Sequence, residues 1–193
     1  MSTQDDPLAI FGNWYDDAKK NALFDPDVMA LATCSAAGKP SVRMVLFRGI
    51  REGGFSFFTN YESRKGQELM EIPAAAVAFY WPHLGKQVRI EGRVERLSAG
   101  ESDRYFQSRP IGSQITAAVS RQSRPLLNER EFLEQIRAVE QSSTGSVPRP
   151  SQWGGYKLIP DRFEFWTHRD DRRHDRTLFV REQEIWVVST LYP

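Results

Sequence analysis

The sequence is short of the residues that carry the commonest catalytic and structural chemistries. It has one cysteine, Cys34, among 193 residues, which excludes an internal disulfide. That scarcity leads us to expect a reducing compartment, the cytoplasm. Its three histidines (His83, His168 and His174) are scattered, and with no HExxH or CxxC spacing no metal site is expected. No apolar run reaches the roughly 18 residues of a spanning helix, so no membrane association is expected. Residues 1–6 are polar and acidic, unlike a secretory or transit signal. Charge of one sign is missing too: 26 Lys+Arg face 25 Asp+Glu, for a net charge of +1. Acids interleave with the basic residues throughout, so no uniform groove for nucleic acid is expected. A P-loop, a G-x-G-x-x-G turn and a G-x-S-x-G elbow are all absent, so a nucleotide would have to be held in some other way than the Rossmann one.

What is present is a globule's composition, 40% hydrophobic and 12% aromatic, at a length suited to one domain over 1–193. The basic residues are 20 arginines and six lysines. Arginine's planar fork suits phosphate and carboxylate, although a GC-rich genome produces the same bias, so position has to decide.

Asp6-Pro7 reads as a helix start in an N-terminal helical region, 1–24, with Phe11, Trp14 and Ala18 at helical spacing and an end near Leu23. Short β-type runs follow at 29–34, 41–47, 55–59, 75–81 and 87–96, separated by turn residues. Strands this close cannot be joined by crossover helices, so the sheet should be mainly antiparallel, and closure into a barrel removes its edges. Ser63, the pair Ser98/Glu101 and the pair Asn128/Glu131 each signal a helix start. Residues 142–152 read as an exposed connector, followed by strands at 156–159, 162–166, 177–180 and 185–189. The expected class is mainly β (α+β), with flanking helices.

Four clusters combine positive charge with hydroxyls or tight turns. In the first, Arg43 and Arg48 bracket a strand and would lie on opposite faces unless it twists; alone they read equally as solvated strand ends. In the second, Thr59 ends a strand and Ser63 opens a helix whose first turn carries Arg64 and Lys65. Cations there oppose the helix dipole, and a bound phosphate would relieve the conflict. The third spaces Tyr105, Arg109 and Ser113 by four across Pro110, as a phosphate site or as a core tyrosine beside a surface arginine. The fourth, Arg172-Arg173-His174-Asp175-Arg176 after Trp166, is an anion site or a solvated loop.

In sum these stretches resemble the pyridoxamine 5′-phosphate oxidase family. The residues that carry the likeness are Ser41-Val-Arg-Met-Val-Leu-Phe-Arg48, Phe57-Phe-Thr-Asn-Tyr-Glu-Ser-Arg-Lys-Gly66 and Gln87-Val-Arg-Ile-Glu-Gly92. Further on they are Tyr105-Phe-Gln-Ser-Arg-Pro110, Val119-Ser-Arg-Gln-Ser123, Trp153-Gly-Gly-Tyr156, Glu164-Phe-Trp166 and Arg172-Arg-His-Asp-Arg176. The resemblance implies an FMN-binding split β-barrel, homodimeric, oxidising pyridoxamine or pyridoxine 5′-phosphate to pyridoxal 5′-phosphate with O2 as acceptor. It implies that FMN is held by Arg43, Met44, Val45, Leu46, Phe47, Arg48, Phe58, Thr59, Arg64, Lys65, Gln87, Gln122, Ser123, Trp166 and Arg176. It assigns the substrate to Arg48, Tyr105, Arg109, Ser113, Arg172, Arg173 and His174, with Arg172 and His174 at the reacting ring. Other readings are a flavin oxidase acting on a phenazine-type precursor, and a non-catalytic FMN or pyridoxal-phosphate binding protein. Three departures stand out: Arg48 where the family usually has lysine, Arg173 where it has leucine, and Thr190-Leu191 for Arg-Leu. A lysine at position 48 is expected to be tolerated. The N-terminal arginines that many members carry over the substrate have no counterpart in residues 1–6.

Overall fold

The computed structural model describes residues 6–20, 24–143 and 145–193. Helices begin where the sequence supplies caps. The Asp6 carboxylate accepts the Leu8 N–H at 3.0 Å at the start of α1 (Pro7–Lys20); the expected end of this helix near Leu23 lies outside the described residues. Ser63 accepts the Gly66 N–H to open α2 (Arg64–Glu71). Ser98 and Glu101 close a reciprocal capping box on α3 (Ala99–Ser108). Asn128 accepts the Glu131 N–H to open α5 (Glu129–Ser142). A further helix, α4 (Ile111–Val119), was not expected from the sequence. It starts directly after Pro110, whose ring presets φ and whose missing N–H is no loss at a helix start. Buried Gln114 ties the α3–α4 elbow together, donating to the carbonyls of Gln107 and Arg109 and accepting the Val147 N–H. That last bond also corrects the connector: residues 142–152 begin inside α5, and Val147 is buried.

The strands are β1 (Val28–Cys34), β2 (Pro40–Leu46), β3 (Ile50–Arg51), β4 (Gly54–Asn60), β5 (Ala74–Trp81), β6 (Lys86–Arg96), β7 (Trp153–Thr167), β8 (Asp175–Glu182) and β9 (Ile185–Thr190). All pairings are antiparallel, in the order β2-β1-β5-β6-β7-β4-β3, with β8 on β7 and β9 on β8. The two strands expected at 156–159 and 162–166 are one strand, β7. Pro160 suggested a break, but it sits at a bulge opposite Glu91/Gly92, where the missing N–H costs no ladder bond. The bulge is also where the sheet forks. On the edge away from β6, β7 pairs with β4 through residues 153–158 and with β8 through residues 162–167. β2 pairs only with β1 among the described strands, and the barrel closes next to it, where Arg48 N–H donates to the Ser56 carbonyl and Ser56 N–H to the Gly49 carbonyl.

Two apolar clusters fill the molecule. The larger lies inside the barrel and includes Phe11, Met29, Leu31, Phe47, Phe55, Phe79, Val88, Ile90 and Phe163. The smaller joins α3, α4 and β7 through Phe106, Ile115, Val147 and Trp153. Phe11 of α1 plugs the barrel: its ring lies 4.8 Å from Phe55, 5.0 Å from Phe79 and 5.6 Å from Phe47. Phe11→Ala should therefore lower the free energy of unfolding by about 3–5 kcal/mol, read from urea denaturation.

Candidate functional site

A cavity of about 740 Å³ opens along β2. An edge strand exposes one whole margin, so residues of both its faces reach this space. Arg43 and Val45 come from the inward face, Met44 and Leu46 from the outward one, and Arg48 from the turn beyond. Phe58 and Thr59 enter from β4, and Arg64 and Lys65 from the start of α2. Tyr105, Arg109 and Ser113 enter from the α3–α4 elbow, and Gln122 and Ser123 from the loop after α4, with Ser123 at φ 70°. Fourteen singled-out positions, scattered from 43 to 123, thus share one wall. Phe47 does not; its side chain is buried in the barrel core.

At one side of the cavity Lys65 is buried, and its Nζ reaches Thr59 Oγ1 (3.2 Å), Ser63 Oγ (3.3 Å) and Gln122 Oε1 (3.1 Å). None of these is a carboxylate. Burial, reinforced by the nearby Arg43 guanidinium, pushes the ammonium down to about 8. Beneath it lies Glu68, a residue the sequence reading did not single out. Its carboxylate accepts from Ser41 (2.6 Å), Thr33, Arg64 Nε (2.9 Å) and Arg43 Nη2 (3.4 Å). Burial pushes that carboxyl up, but the hydrogen bonds from Ser41, Thr33 and Arg64 outweigh it and hold it at about 2. The available signal was Arg64-x-x-x-Glu68, one helical turn apart and next to the buried Leu69.

At the other side, Phe58, Tyr105 and Trp153 stack. Phe58 lies 3.9 Å from Tyr105 and 5.5 Å from Trp153, at interplanar angles of 20° and 13°. The Arg109 guanidinium rests 4.7 Å from the Trp153 ring. Its Nη1 is buried with no hydrogen-bond partner among the described residues, and burial lowers its proton affinity. Helical spacing does not align Tyr105, Arg109 and Ser113. They come from the last turns of α3, its C-cap and the first turn of α4, and the break at Pro110 is what turns them toward one space.

Gln87, Trp166, Arg172, Arg173, His174 and Arg176 do not line this cavity. They form a second group where β6 and β8 begin and β7 ends. Gln87 pairs with Trp166, and Trp166 with Arg176. The His174 ring is 4.6 Å from Trp166, and its Nδ1 accepts the Arg169 N–H at 3.2 Å. Arg176 is bound by buried Glu164 at 2.8 Å and by the Tyr192 carbonyl at 3.0 Å. Asp171 and Arg172 are consecutive left-handed residues, at φ 56° and 57°, a strained turn that keeps Arg172 and Arg173 exposed. No group of His, Cys, Asp and Glu that could hold a metal occurs among the described residues, and no helix there is long and apolar enough to cross a membrane.

An antiparallel split barrel whose edge strand borders a cavity holding two cations without acidic partners, Lys65 and Arg109, defines a class of small-ligand-binding barrel. Residues 15–143 match the family model described as pyridoxamine 5′-phosphate oxidase, and residues 153–193 match the pyridoxine 5′-phosphate oxidase C-terminal dimerisation region. The chain belongs to the pyridoxamine 5′-phosphate oxidase family. It is 50% identical over 192 residues to the pyridoxine/pyridoxamine 5′-phosphate oxidase of Burkholderia cenocepacia (strain HI2424), covering 97% of this chain and 89% of the relative. It is 47% identical over 189 residues to the enzyme of the same name from Gluconobacter oxydans (strain 621H), covering 97% and 94%. Among solved structures, PhzG from Burkholderia lata 383, in complex with tetrahydrophenazine-1-carboxylic acid, superposes with a TM-score of 0.93 at 29% identity, covering 98% of this chain and 93% of that one. An FMN-binding protein from Nostoc punctiforme shares the fold, with a TM-score of 0.77 at 19% identity and coverage of 97% and 98%.

Glu68→Gln tests the buried carboxylate. Its folded value of about 2 lies below the ordinary 4.5, so its contribution is complete above about pH 4.5 and is lost as pH falls toward 2. The variant should lose about 1.5–3 kcal/mol at pH 7. It should also show a shallower acid decline in urea midpoint between pH 4.5 and 2; parallel profiles would contradict the assignment.

Proposed function

We propose that the protein is an FMN-dependent oxidase of pyridoxamine 5′-phosphate and pyridoxine 5′-phosphate, working as a homodimer of one-domain chains in the cytoplasm. One observation carries the reading: a single cavity holds two separate cations without acidic partners, Lys65 among neutral oxygens and Arg109 with a bare buried Nη1. Buried charges of this kind call for anions, and two of them suit a phosphorylated cofactor beside a phosphorylated substrate.

The residues fit FMN. Lys65, Thr59, Ser123 and Gln122 would take its phosphate, with the edge of Arg64 that Glu68 leaves free; Arg43, Met44, Val45 and Leu46 would run beside it along β2. Tyr105, Arg109, Ser113 and Arg48 would take the substrate phosphate, with Tyr105 and Arg109 seated by the Phe58–Trp153 stack. When bound, FMN would supply the redox chemistry, a two-electron oxidation of the substrate at C4′ with O2 as final acceptor and H2O2 as its product. The amine substrate also takes up water and releases ammonia; the alcohol needs neither.

Arg172 and His174 are the proposed catalytic residues. With Nδ1 engaged as an acceptor, a neutral His174 carries its proton on Nε2, a donor for the substrate ring. Arg172 and Arg173 would balance charge there, and Gln87, Trp166 and Arg176 would border the flavin. These residues lie apart from the cavity of their own chain, which supports completion of each site by the other chain. The apolar stripe on the outward face of β2, with Val42 69% and Met44 62% exposed, offers the surface that such pairing covers. The match to a dimerisation region over 153–193 supports the same assembly.

The likeness to PhzG favours one other reading, a phenazine-type substrate. Purified protein should release FMN and turn over pyridoxamine 5′-phosphate in air with one H2O2 per product. Unphosphorylated pyridoxamine should be at least about 100-fold poorer in kcat/KM, the worth of the phosphate contacts. Equal turnover with and without phosphate, or turnover only of a reduced phenazine carboxylate, would overturn the reading. FMN affinity should fall as pH rises through about 8, because Lys65 loses its proton there, whereas riboflavin affinity should not. A Lys65→Met variant should lose this dependence.

A further inference from the structure

Arg48 lines the cavity, and it has an acidic partner of its own, Asp27. Its backbone is locked on Ser56: the Arg48 N–H donates to the Ser56 carbonyl at 2.8 Å, and the Arg48 carbonyl accepts the Ser56 hydroxyl at 2.8 Å. One end of the guanidinium is locked as well. Nη1 donates to Asp27 Oδ2 at 2.6 Å and to the Phe47 carbonyl at 3.4 Å, whereas Nε and Nη2 make no hydrogen bond among the described residues. Asp27 is seated in turn. Its Oδ1 accepts the Tyr15 hydroxyl, and its carbonyl accepts the Phe47 N–H at 2.8 Å. The Tyr15 ring packs against Phe11 and Phe47 in the barrel plug. Burial and then Asp27 hold the Tyr15 phenol well above its ordinary range, so it stays a donor.

We infer that Asp27, seated by Tyr15, is a positioning residue that grips Arg48 by Nη1 and so presents the Nε/Nη2 edge to an anion in the cavity. The inference rests on the reading of this cavity as a phosphate-ester substrate site. A guanidinium has two usable edges, so one can be tied to protein while the other stays available. Fixing the side chain beforehand spares the rotamer freedom that a loose arginine would lose on binding. The arrangement has an electrostatic consequence. Asp27 offsets the charge of Arg48, making it a directional donor, while the unpaired Arg109 provides the attraction. Lysine lacks the second edge. An ammonium at position 48 would be drawn to Asp27 with no rigid donor left for the ligand, so the tolerance expected from the family pattern should fail in this chain unless Asp27 is changed too.

The test uses the FMN-loaded protein, with pyridoxal 5′-phosphate binding read by calorimetry and pyridoxamine 5′-phosphate turnover by peroxide release. Asp27→Asn should raise both Kd and KM about five- to tenfold, as expected for one misplaced charge-assisted donor, with kcat and flavin content within about twofold of wild type. Tyr15→Phe should shift both in the same direction, by about two- to threefold, and it retains the ring packing should Asp27→Asn fold poorly. Arg48→Lys should weaken binding about tenfold, and adding Asp27→Asn to it should recover most of that loss. Wild-type binding by Arg48→Lys alone would overturn the inference. So would unchanged Kd in Asp27→Asn while Arg109→Ala raises Kd, or a fall in kcat and flavin content at unchanged Kd. Unchanged Kd in Arg109→Ala would remove the substrate-site reading itself, and the inference with it.

Discussion

The site depends on a buried carboxylate. Glu68 sits on α2, yet its bonds reach Thr33 on β1, Ser41 and Arg43 on β2, and Arg64 in its own first turn. Removing one charge of such a cluster leaves the others uncompensated in a medium that screens poorly. Docking of α2 on the edge strand and the aim of two cavity arginines are therefore a single energetic event. Lys65 is left out of this pairing. It faces hydroxyl and amide oxygens, and Glu68, already saturated by other donors, acts on it only at longer range.

The same division recurs at the other cations of the cavity. Arg48 is neutralised by Asp27 and Arg109 is not, although both lie on one wall. Arg43, Arg48 and Arg64 are fixed by their acids, whereas Arg109 and Lys65 keep their charge without one. The barrel serves this by leaving β2 unpaired on one margin, so backbone and side chains of both faces meet one space. The fork in β7 serves it in another way, carrying Trp166 and the Arg172–Arg176 turn to a different end of the sheet from Thr59 and Lys65.

Local signals were legible where the physics is local. The caps at Asp6, Ser63, Ser98 and Asn128 each satisfy a backbone N–H within three residues, so the helix starts could be read directly. The alternation in β2 was legible for the same reason, since residues 41, 43 and 45 turn inward. Pro160 misled because a proline reads as a break unless its strand bulges beside it, and that bulge, at Asp161, exists only against β6, about 70 residues earlier. Helix α4 was missed because nine residues with one buried polar side chain have too little periodicity to announce themselves; Gln114 bonds to Val147, and Ile115 joins the apolar cluster of Phe106, Val147 and Trp153, all outside the helix. Glu68 looked like an ordinary helix-surface acid, since nothing near it reveals that Thr33 and Ser41 lie above.

By itself the sequence determined the antiparallel β class, the helix starts, the lack of a disulfide, and a set of arginines, hydroxyls and aromatic residues whose order marks the family. These follow from backbone preference, alternation and residue chemistry, which act over a few positions. Only the tertiary structure decided which cations are free and which are spent. Lys65, Arg109, Arg48 and Arg43 are all cations in the sequence, but folding brings an acid to 2.6 Å from Arg48 and 3.4 Å from Arg43, and none as close to Lys65 or Arg109 among the described residues. Those acids, Asp27 and Glu68, lie 21 and 25 residues from the arginines they hold. Pairing at such separations is settled by sheet register and helix docking, and no local pattern encodes it.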